Sequence, residues 1–127
     1  MTASRVQAGL ALTERVQAAL TASPQTWPQR ATLDPAAAAT AAMQGVAVLI
    51  APPVLAFDVA PPHASATWTL VVLSGHSDPV IGWQRMDAAV TALHDALSLT
   101  SATPVAWQLT NGGPPVAAYE VTYEEAV

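Results

Sequence analysis

The segment Ser74-Gly75-His76-Ser77-Asp78-Pro79 places a hydroxyl, an imidazole and a carboxylate side by side. It follows an apolar run and precedes a helical pattern. That is the setting of a Gly-x-Ser-x-Gly nucleophile elbow, in which Ser77 would attack an acyl carbon. The spacing argues against this chemistry. Pro79 stands where the second glycine is needed, and 127 residues are too few for the large parallel sheet that displays such an elbow. His76 is the chain neighbour of Ser77, whereas the base of a triad normally arrives from a distant segment. The same residues suit a helix start, with Gly75 in the turn and Asp78 or Ser77 as the cap.

Metal chemistry would have to draw on His63, His76, His94 and the aspartates near them. No two of these histidines share the i, i+4 spacing of a helical metal pair, and the chain has no cysteine. His94 reads instead as a partly buried structural residue at the edge of an apolar stripe. A phosphate cradle needs a glycine-rich loop that opens a helix. Gly112 and Gly113 lead into Pro114-Pro115 and a strand, so 111–115 reads as a hairpin tip. No catalytic residue, metal or cofactor is expected.

Residues suited to contact with another chain remain. Asn111, Gly112 and Gly113 form either a solvated turn or a protruding loop that touches a neighbouring subunit. Among the four tryptophans, Trp68 and Trp83 are phased with the core. Trp27, set between Pro24 and Pro28, is the candidate for an exposed anchor. Glu120, Glu124 and Glu125 are a solvated strand face, or a negative surface inside a ring.

The composition narrows the classes further. Hydrophobic residues make up 52% of the chain, enough for a core. Charged residues make up 10%, well below the rough quarter usual in soluble domains. A surface so poor in charge adheres to something, which points to partner chains. The net charge is −5, and the cations are Arg5, Arg15, Arg30 and Arg85, with no lysine. Four scattered arginines cannot neutralise a run of phosphates, so tight nucleic-acid binding is not expected. Residues 1–7 lack the layout of a signal peptide. The longest apolar stretch, 45–62, is broken by Pro52, Pro53 and Asp58 and falls short of the ~20 residues of a membrane helix. A soluble protein is expected.

The elements that must position these residues follow from periodicity. Residues 3–22 predict an amphipathic helix with Val6, Leu10, Leu12, Val16, Ala19 and Leu20 on one face, ended by Pro24. Residues 23–30 read as an extended connection. Asp34-Pro35 carries a helix-start signature for 36–43, closed by Gly45; an alanine-rich loop is the alternative. Runs 46–50 and 54–59, split by Pro52-Pro53, form a bent strand or two strands. Residues 66–73 predict a strand with Trp68, Leu70 and Val72 on one face. The best helix has Trp83, Met86, Val90, Leu93 and Leu97 as its stripe, opposite Arg85, Thr91 and Asp95. Strands at 105–110 and 116–125 flank the hairpin tip. In the latter, Tyr119, Val121 and Tyr123 alternate with Glu120, Thr122 and Glu124. The order implies a single α+β domain spanning 1–127, a mostly antiparallel sheet flanked by two main α-helices.

These features resemble the phage tail terminator family, of the minor tail protein U type, in siphophages of high-GC bacteria. The likeness is carried by the opening helix 5–20 and the run Gly45-Val46-Ala47-Val48-Leu49-Ile50-Ala51-Pro52-Pro53. It continues through Ala66-Thr67-Trp68-Thr69-Leu70-Val71-Val72-Leu73, the helix 83–97 and the strand Ala118-Tyr119-Glu120-Val121-Thr122-Tyr123-Glu124. Residues 36–43 depart from the family pattern. The resemblance implies a β-sheet flanked by helices and no catalytic residues. It implies a hexameric ring on the last ring of the major tail tube protein, which stops polymerisation and docks the tail to a head-completion, or stopper, protein. DNA would pass through the lumen, and the location would be the tail or neck of the virion. Three alternatives stand beside it: another neck or tail-completion protein, a small ligand-binding module, and a hydrolase using Ser77 and His76.

Overall fold

The computed structural model describes residues 4–57, 64–108 and 115–126. Among these, three helices and six strands form an α+β fold around one sheet. Helix α1 is Ser4–Ala22, α2 is Pro35–Gln44 and α3 is Pro79–Leu97. The strands are β1 (Gln29–Thr32), β2 (Val46–Ile50), β3 (Val54–Ala56), β4 (Ser65–Leu73), β5 (Ser101–Gln108) and β6 (Pro115–Ala126). Their order across the sheet is β1-β2-β4-β6-β5, with β3 also pairing to β4. All pairings are antiparallel except β1 with β2.

Parallel neighbours need a crossover, and α2 supplies it. Asp34 caps α2 by accepting from the Ala36 N–H at 3.0 Å, Pro35 occupies the first turn, and Gly45 closes the helix onto the Ala41 carbonyl. The helix, not the alanine-rich loop, is formed. The connection expected over 23–30 gives way to β1 from Gln29 onward, held by Gln17 of α1. Its Oε1 accepts from the Ala31 N–H, and its Nε2 donates to the Gln29 carbonyl.

The Pro52-Pro53 break yields two strands on one track. β2 pairs with the second half of β4 (Ala47 with Leu73 through Ile50 with Leu70), and β3 pairs with its first half. Proline has no N–H to give the ladder, so pairing lapses at the dipeptide and resumes at Val54.

The strand alternation sorts side chains into two cores. On one face, Val46, Val48, Ile50, Trp68, Leu70, Val72 and Val121 pack under α1 and α3. On the other, Ala47, Leu49, Val71, Leu73 and Ala118 pack under α2 through Ala38, Ala41 and Ala42. Only short side chains line the inner side of α2, so that helix lies close to the sheet.

Two helical faces are rotated from their expected phase. In α1 the buried line is Gly9, Leu12, Val16 and Leu20, while Val6 and Leu10 are 65% and 51% exposed. Gly9 causes this: with no side chain it takes the Trp68 ring, whose Cη2 would lie 3.3 Å from a Cβ there. In α3 the buried residues are Gly82, Met86, Ala89, Ala92, Leu93 and Leu97. Trp83, expected in the core, is 59% exposed.

Candidate functional site

In the strand-to-helix turn before α3, where the sequence gathers Ser77, His76 and Asp78, the hydrogen bonds are those of a cap. Asp78 Oδ1 accepts from the N–H groups of Val80 (2.9 Å) and Ile81 (3.4 Å). The Asp78 N–H in turn donates to His76 Nδ1 at 2.9 Å. The imidazole nitrogen nearest the turn is thus engaged by backbone, and Ser77 stands exposed beside it. Gly75 donates its N–H to the Ala42 carbonyl at 2.8 Å, which ties the turn to α2. Replacing Asp78 with alanine should cost about 1 kcal/mol of unfolding free energy in a urea titration. Replacing the exposed Ser77 should stay within about 0.5 kcal/mol.

Among the described residues no three His, Cys, Asp or Glu side chains converge as metal ligands. His63 lies outside the described residues. His94 is exposed rather than partly buried. It ends α3: its Nδ1 accepts from the Leu99 N–H at 3.1 Å, and its carbonyl accepts from the N–H of Ser98, which is left-handed (φ 57°).

The aromatic residues divide by environment. Trp68 is buried at the centre of the main core. Trp107 packs at the edge of the second core. Trp27 is half-buried against the main core, and the Arg85 guanidinium lies 4.9 Å above its ring. A cation on an indole face is a favourable pair and shields the ring. It also explains why Arg85, expected on the solvent side, is half-buried. Asn111, Gly112 and Gly113 fall outside the described residues; β5 and β6 on either side of them are paired from Gln108 with Pro115.

Three exposed surfaces are built by this arrangement. The first lies where α1 crosses the ends of β1 and β2. Val6, Gly9, Leu33, Pro52, Pro53 and Trp68 line a cavity of about 240 Å³ there. Leu10 and Phe57 stand exposed, and Arg5 lies 5.2 Å over the Phe57 ring. The second lies at the opposite corner of the same sheet face. Val80 and Trp83, 60% and 59% exposed, project from the start of α3 beside Asp87. Trp83 also borders a hollow of about 370 Å³ above Pro104, Ala117 and Tyr119.

The third surface is the half of the other sheet face that α2 leaves uncovered. Cross-strand neighbours there are Thr67 with Glu124, Thr69 with Thr122, and Thr103 with Glu120. Ser101 Oγ and Thr122 Oγ1 lie 2.8 Å apart. Arg30, in register with Ala47, points to the same side of the sheet but from the far edge strand β1. The other three arginines lie on α1 and α3, so among the described residues this half of the face carries acidic side chains and hydroxyls without a cation. Glu125 is not part of it. It points to the helical side and pairs with Arg15 at 3.6 Å, while the Tyr123 hydroxyl accepts from Arg15 and donates to Glu125. The pair is partly exposed, so it contributes little, at most about 1 kcal/mol.

Sequence reasoning misplaced the exposed apolar residues. Val80, Trp83 and Asp87 recur at helical spacing, out of phase with Met86, Leu93 and Leu97. That second stripe is the signal that could have found the surface.

The architecture is that of a small α+β protein with a mostly antiparallel sheet between helical layers. Set against known protein families, curated proteins and solved structures, the chain matches none of them. No helix among the described residues is long and apolar enough to cross a membrane.

Proposed function

We propose that this chain is a structural subunit of a virion tail, acting as a tail terminator. In this reading several copies close into a ring, six by the family resemblance. The ring seats on the last ring of tail tube protein, halts its growth and offers its far side to a head-completion protein. No bond is made or broken. The work is done by surfaces.

The observation that carries this reading is the display of large apolar side chains at two corners of a chain with 10% charged residues. Exposed patches of that kind in a soluble domain mark contact with other chains. Two distinct patches suit heterologous contact, which generates rings when the rotation closes. The acidic, hydroxyl-rich half-face suits a lumen, because like charge keeps a passing nucleic acid from adhering.

Adding the purified chain to polymerising tail tube protein of its own phage tests the proposal. Electron microscopy should show tubes ending in a cap and no longer extending. Tubes that grow to the same lengths with and without a tenfold excess of the chain would contradict it.

A further inference from the structure

We infer that copies of this chain join head to tail by seating the Trp83 corner of one in the α1 groove of the next. The inference rests on the assembly reading above and names the surfaces that would perform it.

The groove has the dimensions of a socket for a side chain. Its volume, about 240 Å³, is below the roughly 300–1,000 Å³ of pockets that take drug-sized ligands. Its walls are Pro52, Pro53, Val6 and Leu33, and its floor is Gly9 and Trp68, so it offers an indole apolar contact on several sides. Proline walls lose little entropy when a partner arrives. Trp83 has the complementary form. It is the most exposed tryptophan in the described chain, held on a 19-residue helix and flanked by Val80. Tryptophan is among the residues enriched at interface hot spots, which sit in desolvated pockets.

Charge selects the pairing. Arg5, exposed, borders the groove, and its described contact is the Phe57 ring. Asp87, exposed, lies one turn beyond Trp83. Seating Trp83 in the groove of the next copy brings a cation and a carboxylate to one rim, whereas groove on groove or Trp83 on Trp83 sets like charges together. Like charges across an interface disfavour the wrong pairing. The second copy is therefore the occupant that both the cavity and its charged rim fit.

Position completes the argument. α1 covers β1 and β2, while the first turns of α3 lie near β5 and β6, so the patches occupy opposite corners of one sheet face. Two unlike, mutually complementary patches on one chain give an unsaturated chain of contacts that ends only by closure.

The test uses two single variants, Leu10→Glu, exposed on α1 next to the groove residue Gly9, and Trp83→Glu in the plug, each checked by circular dichroism and thermal melting. Val6→Glu replaces the first if it fails to fold. Sedimentation velocity should show the wild-type chain larger than a dimer and each variant monomeric. The equimolar mixture should form a 1:1 complex of twice the subunit mass, because one intact groove then meets one intact plug. The reversals Arg5→Asp and Asp87→Arg should each raise the dissociation constant about tenfold, and combined in one chain should restore it. Variants that assemble as the wild type does, a mixture that stays monomeric, or either variant alone forming dimers would overturn the inference and leave the assembly reading standing. A wild-type chain that is monomeric at all concentrations would overturn both.

Discussion

Replacing Trp68 with alanine is expected to remove about 3–5 kcal/mol of stability, a large fraction of the roughly 5–15 kcal/mol that holds a typical domain folded. Trp68 is the largest of the fully buried side chains and lies where α1, β4 and β6 meet. Its ring rests on the Gly9 backbone, and its strand partner is Tyr123. Alanine would leave a void that Gly9 cannot fill, since glycine has no side chain to move inward. Phenylalanine should behave differently. The Trp68 Nε1–H is buried with no hydrogen-bond partner among the described residues. Losing an unpaired buried donor relieves a desolvation cost of about 1–3 kcal/mol, which offsets part of the lost packing. Denaturant titrations of both variants should therefore separate them by 2 kcal/mol or more, about the gap between cavity creation and a near-conserved ring. Equal losses would mean that a phenylalanine ring recovers none of the packing at this position.

A comparable loss is expected at Gly45, for the opposite reason. A Cβ at Gly45 would collide with the Pro28 carbonyl oxygen and crowd its carbon at 3.1 Å. The approach is forced by two bonds: Gly45 N–H closes α2 onto Ala41, and the next N–H, from Val46, donates to Pro28 at 3.0 Å. Backbone meets backbone here, so no side chain can swing aside. Gly45→Ala should cost about 3 kcal/mol, at the upper end of the overpacking range, by prying β1 from β2. Gly82→Ala is the control. A Cβ there meets nothing nearer than His76 Cβ at 3.8 Å, and Gly82 sits inside α3. That substitution should raise stability by about 0.5–1 kcal/mol, the helix-propensity gain of alanine over glycine. Thermal melts of the two variants should move in opposite directions.

These contrasts show what the chain makes legible. The caps at Asp34 and Asp78, the strand alternation through Trp68 and Val121, and the break at Pro52-Pro53 are local, and sequence reads them correctly. The α+β class follows from their order. β1 is a four-residue edge strand whose polar Gln29 and Arg30 carry no alternation; its place depends on Gln17 and on the crossover through α2. No window of sequence holds those partners together. The phase of α1 and α3 is missed for a related reason. Gly9 and Gly82 look like weak points in a helix, yet each lies on the buried face. Apolar side chains at Val6, Leu10 and Trp83 are thereby turned outward. Counting hydrophobic residues at helical spacing cannot tell a core stripe from a docking stripe when a glycine occupies the true centre of the face. In the turn before α3, Asp78 and His76 Nδ1 are engaged by the backbone of the helix start, while Ser77 stays exposed beside them.

We propose that copies of the same chain cover this sparsely charged surface. Sedimentation velocity of the purified protein over a concentration series, from about 1 to 100 μM, is the decisive test. A discrete species larger than a dimer is expected to grow in at higher concentration and to persist in moderate salt, as apolar contact requires. A single monomeric boundary across the whole series would contradict it.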